Sequence, residues 1–440
     1  MPSSAVRGRT RGSVAASALC GLLLAGSTNT LAWAETTREK QWFLAGMKAD
    51  EMWRTSTGKG ITVAVIDTGV DRNNPDLVGQ ILAGKDFADG EPGDEYTDYA
   101  GHGTGMAGLI AGMGAANSGN GAWGLAPGAK ILPIRMPNAT KDANQAQSNE
   151  RFNRTAPEAI RYAADQHAKV INISLGTGRT EGSPQLTAAV KYAFDKGSLV
   201  FAAVGNSAQV DNEVEYPAAT PGVVGVAAVG KDLHATAESE YGSQVDLAAP
   251  GDDMVHACKS ETGLCRSHGT SDATALASAS AALIWAKHPE WTNNQVLRVM
   301  LNTIGGPTDG AKRNDSIGYG IVRPRIALTN PGDPGPANVY PLPDPPQSGA
   351  STAPAKTPGP AAAPAEAAAS HQDGKGGGVA TTPLFLAGVG ALGVGMVFFG
   401  FRSLRKRRRY SATAQAHAPQ PGWGPGAGWP EQQDRGRPGS

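Results

Sequence analysis

The 440-residue sequence has no excess of charge of either sign, since 39 lysines and arginines balance 39 aspartates and glutamates. A nucleic-acid-binding protein normally carries a clustered basic surface, so this balance argues against a nucleic-acid partner. The one strongly basic run, residues 402–409, is short and directly follows an apolar stretch. The length allows two or three domains with a sizeable buried core.

Cysteine is also scarce, with three residues in the chain. Cys20 lies in the apolar part of an N-terminal segment that has a basic beginning and a small-x-small cleavage site at residues 32–34, the features of a secretory signal peptide. We expect residues 1–34 to be removed on export, which leaves Cys258 and Cys265. An even pair of cysteines in an exported protein favours a disulfide, and two free thiols are the alternative.

The C-terminal quarter has few core-forming residues. Residues 331–383 are rich in Pro, Ala and Gly and predict an extended linker. Residues 384–401 are an uncharged apolar run of 18 residues, about 27 Å long as a helix, which predicts one transmembrane helix rather than a buried internal helix. The basic run follows at once, so residues 402–440 are predicted to be a basic, then disordered cytoplasmic tail. We therefore expect a single-pass cell-membrane protein whose main domain, residues 35–330, is extracytoplasmic.

That main domain contains six continuous apolar, β-branched runs separated by several helical patterns. Continuous runs are typical of strands buried on both faces, and strands that alternate with helices predict a mainly parallel sheet between two helical layers. The sequence therefore predicts a three-layer α/β fold. The strand runs are residues 61–66, 130–134, 170–173, 199–204, 223–229 and 245–248, and the helical patterns are residues 103–113, 157–168, 184–196, 274–288 and 293–304.

Three polar residues stand where such a fold concentrates chemistry. Asp67 ends the first strand run, at the carboxyl edge of the sheet, although an aspartate there can equally be a turn former. His102 lies between two glycines, which let a substrate or another backbone approach closely. Ser271 begins a helix, where unpaired N–H groups and the helix dipole favour negative charge, although Thr270 or Ser271 can also serve as a simple helix cap.

An aspartate, a histidine and a serine supply the three roles of acyl-transfer catalysis: orienting group, proton carrier and nucleophile. Asn206 follows the fourth strand run, where its side-chain amide can donate to an oxyanion together with the backbone N–H of Ser271. No calcium-loop spacing is convincing among the carboxylates between residues 71 and 94; a solvated acidic loop is expected, and the binding of a hard cation is the alternative. These carboxylates are Asp71, Asp76, Asp86, Asp89, Glu91 and Asp94. No metal and no cofactor is expected.

The glycine-flanked motifs around these residues resemble, in chain order, the subtilisin family of serine proteases over residues 58–328. The resemblance implies a catalytic triad of Asp67, His102 and Ser271, with Asn206 as an oxyanion donor. The motifs are Asp67-Thr68-Gly69, Gly101-His102-Gly103-Thr104 and Gly269-Thr270-Ser271.

The resemblance further implies that Ser174, Leu175 and Gly176 form the strand that pairs with the substrate backbone and walls the S1 pocket. Arg135 and Met136 would then lie on the facing substrate edge. The polar insertion that follows, residues 138–154, is expected to form an exposed loop beside that edge.

The sequence departs from the family pattern in two respects. Ala275 and Ala279 stand where the family has a proline and a glycine, and alanine is the better helix former, so we expect the nucleophile turn to survive. The interval of residues 35–60 is too short for a folding pro-domain. Together with the membrane tail, this interval makes the chain similar to the mycosins, the membrane-anchored subtilases of type VII secretion systems.

The expected function is that of an extracytoplasmic serine endopeptidase that acts on a protein or peptide substrate, in association with a secretion-system membrane complex. A protease-shaped scaffold in which catalysis is dispensable is the alternative, and both roles can coexist. An acyl-transferring enzyme of α/β-hydrolase type needs Gly-x-Ser-x-Gly and the order Ser, Asp, His, and the sequence has neither.

Overall fold

The computed structural model describes residues 35–178, 182–260 and 262–347. The predicted signal peptide, the later part of the linker, the predicted transmembrane run 384–401 and the tail 402–440 lie outside these ranges. Within them, no helix combines the length and the apolar character that a membrane span requires.

Seven parallel strands form the central sheet, in the spatial order β2-β3-β1-β4-β5-β6-β7. The strand β1 lies between β3 and β4, so the chain builds one half of the sheet and then crosses to the other half. Ligand sites of open parallel sheets lie at this kind of switch point. The strands are β1 (Thr62–Asp67), β2 (Lys85–Asp86), β3 (Lys130–Arg135), β4 (Val170–Ile173), β5 (Leu199–Ala203), β6 (Val223–Val229) and β7 (Leu247–Pro250).

Helices cover both faces of this sheet. Alternate residues of β1 enter two separate buried clusters: Val63 and Val65 pack on one face, and Ala64 and Ile66 on the other. The predicted α/β fold with a parallel sheet is therefore confirmed. The helices of the described ranges are α1 (Thr37–Lys40), α2 (Trp42–Gly46), α3 (Ala49–Trp53), α4 (His102–Ala111), α5 (Ala116–Gly119), α6 (Gln145–Asp165), α7 (Pro184–Asp195), α8 (Thr270–Lys287), α9 (Asn293–Asn302) and α10 (Pro324–Thr329).

The helix α8 is buried over most of its length. From Thr270 to Trp285 every residue is buried except Ser271. A helix that is largely apolar on all sides has to be surrounded by other elements, and the small alanines let the sheet and α4 approach it closely. The one residue of this stretch that reaches the surface is thus the predicted nucleophile.

The helix α6 corrects the prediction of an exposed loop over residues 138–154. It begins at Gln145, and the Asn144 side chain accepts a hydrogen bond from the N–H of Gln147 at 3.0 Å as its N-cap. Pro157 lies inside the helix. Because a proline normally starts or breaks a helix, the sequence predicts a helical start at Pro157 and a loop over the preceding polar residues.

An antiparallel hairpin of β8 (Met254–Ala257) and β9 (Leu264–Ser267) leads into α8, and the sequence did not predict it. The structure joins Cys258 to Cys265 across this hairpin, with their Cα atoms 5.7 Å apart. The carbonyl of Cys258 also accepts a hydrogen bond from the Asn74 side chain at 3.2 Å. The disulfide thus joins the two strands at the loop end of the hairpin, shortly before the turn that carries Ser271.

The first part of the predicted linker, residues 331–347, lies against the domain. The Arg298 guanidinium of α9 donates hydrogen bonds to the carbonyls of Pro334, Pro336 and Val339. Further along, Leu342 is buried in the core cluster that contains α8. These contacts replace backbone hydrogen bonds that a proline-rich segment cannot make within itself.

Candidate active site

Asp67 and His102 are brought together at the carboxyl end of β1. The Asp67 side chain is fully buried, and its Oδ1 accepts hydrogen bonds from the N–H of Thr68 at 2.7 Å and from Nδ1 of His102 at 2.7 Å. A donating Nδ1–H fixes the tautomer in which Nε2 of His102 carries the free lone pair. The pair can therefore present a basic nitrogen held in one orientation.

Glycine at position 103 makes this close approach possible. A Cβ atom at Gly103 would lie 2.2 Å from the carbonyl oxygen of Gly69 and 3.0 Å from Cβ of Asp67. Only a residue without a side chain lets the first turn of α4 pack against the end of β1. The second glycine of the Gly-His-Gly pattern thus reflects a packing requirement of this turn, whereas the first, Gly101, adopts a positive φ of 77°.

Asp98 joins the two turns that carry the pair, and sequence reasoning did not identify it. Its carboxylate accepts hydrogen bonds from Oγ1 of Thr68 at 2.6 Å, from the N–H of Gly101 at 2.7 Å and from Oγ1 of Thr104 at 2.7 Å. Its position four residues before His102 was the available signal, because a carboxylate there can satisfy the free N–H groups of the helix start.

The local charges make His102 more basic than an ordinary histidine. Burial lowers its pKa, but the charge and the hydrogen bond of Asp67 outweigh burial and raise the pKa to about 9, with smaller contributions from Asp272 and Asp98. The imidazole is one-third exposed, with a side-chain accessibility of 34%. It is therefore open to a substrate on one side and anchored on the other.

Ser271 lies in the first turn of α8, after Gly269, whose φ of 130° favours glycine. Its Oγ donates a hydrogen bond to the carbonyl of Ser174 at 3.3 Å, and Oγ of Ser174 donates to the carbonyl of Ser271 at 3.2 Å. Among the described residues no hydrogen bond joins Ser271 to His102. Catalytic hydrogen bonds are often long before a substrate binds, and rotation about χ1 is all that redirects a serine hydroxyl.

Asn206 lies beside the same turn, directly after β5. Its Oδ1 accepts hydrogen bonds from the N–H of Thr270 at 2.9 Å and from Oγ1 of Thr270 at 3.2 Å. These bonds fix the amide, and its Nδ2 has no partner within the part of the chain that the structure describes. The N–H of Ser271, in the first helical turn, lacks an intrahelical acceptor. Two donors are thus available beside Ser271.

Ser174, Leu175 and Gly176 extend from the end of β4 past the nucleophile. Thr177 then forms an antiparallel bridge with Tyr216, with N–H···O distances of 2.9 and 3.1 Å. Leu175 and Gly176 also line a cavity of about 80 Å³ whose other wall includes Met136. Met136 therefore lies opposite the predicted substrate strand.

Arg135 is a correction, because we expected it on this substrate edge. Its side chain is 2% exposed, and its guanidinium donates to Asp86 at 2.9 Å and to the carbonyl of Pro92 at 3.0 Å. An extended strand turns successive side chains to opposite faces, so Met136 and Arg135 cannot both face the substrate.

His256 and Asp272 are two buried groups near the site that sequence reasoning missed. His256 was read as a surface or helix position, yet it lies in β8, is 5% exposed and packs against Gly105 of α4. Asp272 is 1% exposed and accepts a hydrogen bond from Oγ of Ser267 at 2.5 Å. Burial lowers the pKa of His256 and raises the pKa of Asp272.

Several acidic residues between 71 and 94 bind protein groups, contrary to the expectation of a solvated loop. Asp76 is buried and accepts hydrogen bonds from the N–H groups of Ala116 at 2.7 Å and Ala122 at 2.8 Å. Glu91 pairs with Lys141 at 3.0 Å. Across the described ranges, no group of three or more His, Cys, Asp and Glu side chains could hold a metal ion.

Comparison with known proteins places this chain in a family. A model of the subtilase family matches residues 58–320, more than half of the chain. Thermitase of Thermoactinomyces vulgaris is 37% identical over 239 residues, which are 54% of this chain and 79% of thermitase. The chain spans 59–64% of the length of several further bacterial relatives.

Two solved structures share the fold and bear out the similarity to mycosins. One is the serine protease MycP1, described as an essential component of the type VII (ESX-1) secretion system: the TM-score is 0.59 and the identity 30%, over 68% of this chain and 90% of that one. The other is the periplasmic assembly of the ESX-5 inner membrane complex, with a TM-score of 0.59 and 27% identity over 73% of this chain and 90% of that one. The chain therefore belongs to the subtilase family of serine proteases.

Proposed function

We propose that the protein is a membrane-anchored, extracytoplasmic endopeptidase whose triad is Asp67, His102 and Ser271. Oγ of Ser271 attacks the peptide carbonyl while Nε2 of His102 takes its proton and then gives it to the leaving amine, so that the C–N bond breaks and an acyl-enzyme forms. Water, activated by the same histidine, releases the acyl group. Asn206 and the N–H of Ser271 donate to the oxyanion. The observation that carries this proposal is the 2.7 Å bond between Asp67 and His102, which leaves Nε2 as the base.

We extend the proposal to the membrane topology of the protein and to its association with other proteins. The N-terminal signal pattern, the apolar run 384–401 and the basic residues after it support a single-pass protein with its protease domain outside the cytoplasm. The similarity to MycP1 and to the ESX-5 periplasmic assembly supports association with a secretion-system membrane complex. The second of these similarities also favours a scaffolding role beside catalysis.

Labelling with a fluorophosphonate probe tests the triad in the full-length, detergent-solubilised protein. We expect the wild type to be labelled and both Ser271→Ala and His102→Ala to lose labelling. His268→Ala is the matched control, because His268 lies three residues from Ser271 but its Nδ1 pairs with Glu238 at 2.7 Å on the surface. A folded wild type that is not labelled would contradict the proposal and leave the scaffold as the function.

A further inference from the structure

The carboxylate of Glu215 lies against the segment that follows Ser174, and the triad makes no use of it. The bridge between Thr177 and Tyr216 holds Glu215 against the segment that begins at Ser174. A Cβ atom at Gly176 would lie 2.7 Å from Oε2 of Glu215. The carboxylate of Glu215 thus occupies the place that a side chain at position 176 would fill.

This carboxylate is within reach of a residue attached to Ser271. The carbonyl of Ser174 accepts the hydrogen bond of Ser271, and Gly176 is two residues further along an extended segment, about 7 Å away. The four-carbon stem of lysine or the stem of arginine spans a distance of this order. A side chain on the substrate residue whose carbonyl is attacked, the P1 residue, therefore ends near Glu215.

The surroundings of Glu215 add further negative charge, and the described part of the facing segment, residues 174–178, adds no positive charge. Residues 174–178 carry no charged side chain. Glu240 is fully buried under the turn at Gly205, and its Oε2 has no hydrogen-bond partner among the described residues. Its Oε1 accepts hydrogen bonds from Ser207, which follows Asn206. The carboxylate of Glu240 is thus close enough to Glu215 for its charge to raise the pKa of Glu215.

We infer that the enzyme selects lysine or arginine at P1 and that Glu215 is the residue that determines this specificity; the inference rests on the proposed function. An apolar P1 side chain would shield the carboxylate of Glu215 from water without pairing its charge, and burial of an unpaired charge costs free energy. An acidic side chain would add repulsion. A cationic side chain supplies a counter-charge to Glu215, and its stem packs along the glycine-lined wall.

The selection should depend on pH. Burial raises the pKa of Glu215 to about 8, assisted by the charges of Glu240, Asp211 and Glu213. Below this pH the free enzyme holds a neutral Glu215, so part of the attraction for a cation is used to release its proton. The preference for a cationic P1 residue should therefore increase as the pH rises to about 8 and level off above it.

Tetrapeptide p-nitroanilides that differ only at P1 test the inference on the full-length protein. Lysine and methionine are the matched pair, because both are long and unbranched and only lysine is charged. We expect kcat/KM for lysine to exceed that for methionine at least tenfold at pH 9 and by less at pH 6. The ratio of the two substrates cancels the titration of His102.

Glu215→Gln should reduce the lysine-to-methionine ratio to below about threefold, mainly through a lower kcat/KM for lysine, and normal fluorophosphonate labelling of the variant shows that it folds. Glu215→Lys should favour a glutamate at P1. Glu158→Gln is the control, because Glu158 is an exposed carboxylate on α6. A wild type that prefers methionine, or a Glu215→Gln variant that keeps the lysine preference, overturns the inference. Either result with normal fluorophosphonate labelling leaves the proposed function standing, whereas absent labelling would refute the function itself.

Discussion

The pH profile of hydrolysis tests whether Asp67 sets the basicity of His102. A histidine acts as the base only in its neutral form, and the pKa of His102 in the free enzyme is raised to about 9. At pH 7 about 1% of the molecules then hold a neutral His102. We expect kcat/KM to increase nearly tenfold per pH unit between pH 7 and pH 8.5 and to level off above about pH 10.

Asp67→Asn removes the charge and keeps the size of the side chain. Burial lowers the pKa of His102, and in this variant the charge of Asp67 no longer opposes that effect. The rising part of the pH profile of kcat/KM should therefore move to below about pH 7. The plateau should fall by about 10⁴-fold, since an amide can hold the imidazole in the wrong tautomer. The two effects separate the electrostatic role of Asp67 from its orienting role.

The assay is kcat/KM between pH 5 and pH 11 with a substrate that has methionine at P1, because the titration of Glu215 would distort the profile of a cationic substrate. A wild-type profile that levels off near pH 7, with no change of midpoint in Asp67→Asn, would refute the argument. It would show that the 2.7 Å contact does not stabilise the charged imidazole.

Three further predictions follow from single contacts. Asn206→Ala should lower kcat 10²–10³-fold with little change of KM, the range found when such a donor is removed from subtilisin itself, and steady-state kinetics checks it. Replacing Cys258 and Cys265 by serine should lower the free energy of unfolding by roughly 2–3 kcal/mol, about 3–5 °C in Tm, because the loop closed by the disulfide is short; an unchanged Tm would contradict this. Burial raises the pKa of Asp246 to about 8, so the folded state holds a proton that the unfolded state releases above about pH 4. The free energy of unfolding should therefore decrease by up to about 1.4 kcal/mol per pH unit from pH 4 to pH 8. Urea unfolding at several pH values should show a smaller decrease per pH unit for Asp246→Asn than for the wild type.

The sequence predicted the buried parts of the fold well, because continuous apolar runs have few alternatives. The strand predicted at residues 61–66 is observed as Thr62–Asp67, and the helix predicted at 184–196 as Pro184–Asp195. The sequence did not predict elements that are short or polar. The hairpin of Met254–Ala257 and Leu264–Ser267 is stabilised by cross-strand pairing and a disulfide, which leave no hydrophobic period in the sequence.

The residues of the candidate site also fall into those that the sequence predicted and those that it did not. Asp67 was predicted from its place at the carboxyl end of a strand and His102 from its flanking glycines, and the structure brings the two residues into contact. Asp98 and Glu215 were missed because their roles depend on hydrogen bonds and charges contributed by segments far apart in the chain. A lone carboxylate in a sequence is most often a solvated surface residue, and only the position of its neighbours distinguishes it.

The surroundings of Asp272 affect the charge next to the nucleophile, because they change how readily its carboxyl group ionises. A carboxylate in the first turn of a helix is ordinarily stabilised as an anion by the helix dipole. Here the residue follows Ser271 directly, where an anion would oppose the negative charge that develops on the attacked carbonyl. Burial raises the pKa of Asp272, against the smaller opposite effects of His256, Ser267 and His102. This carboxyl group therefore ionises less readily than one at an exposed helix start, which reduces its repulsion of the oxyanion.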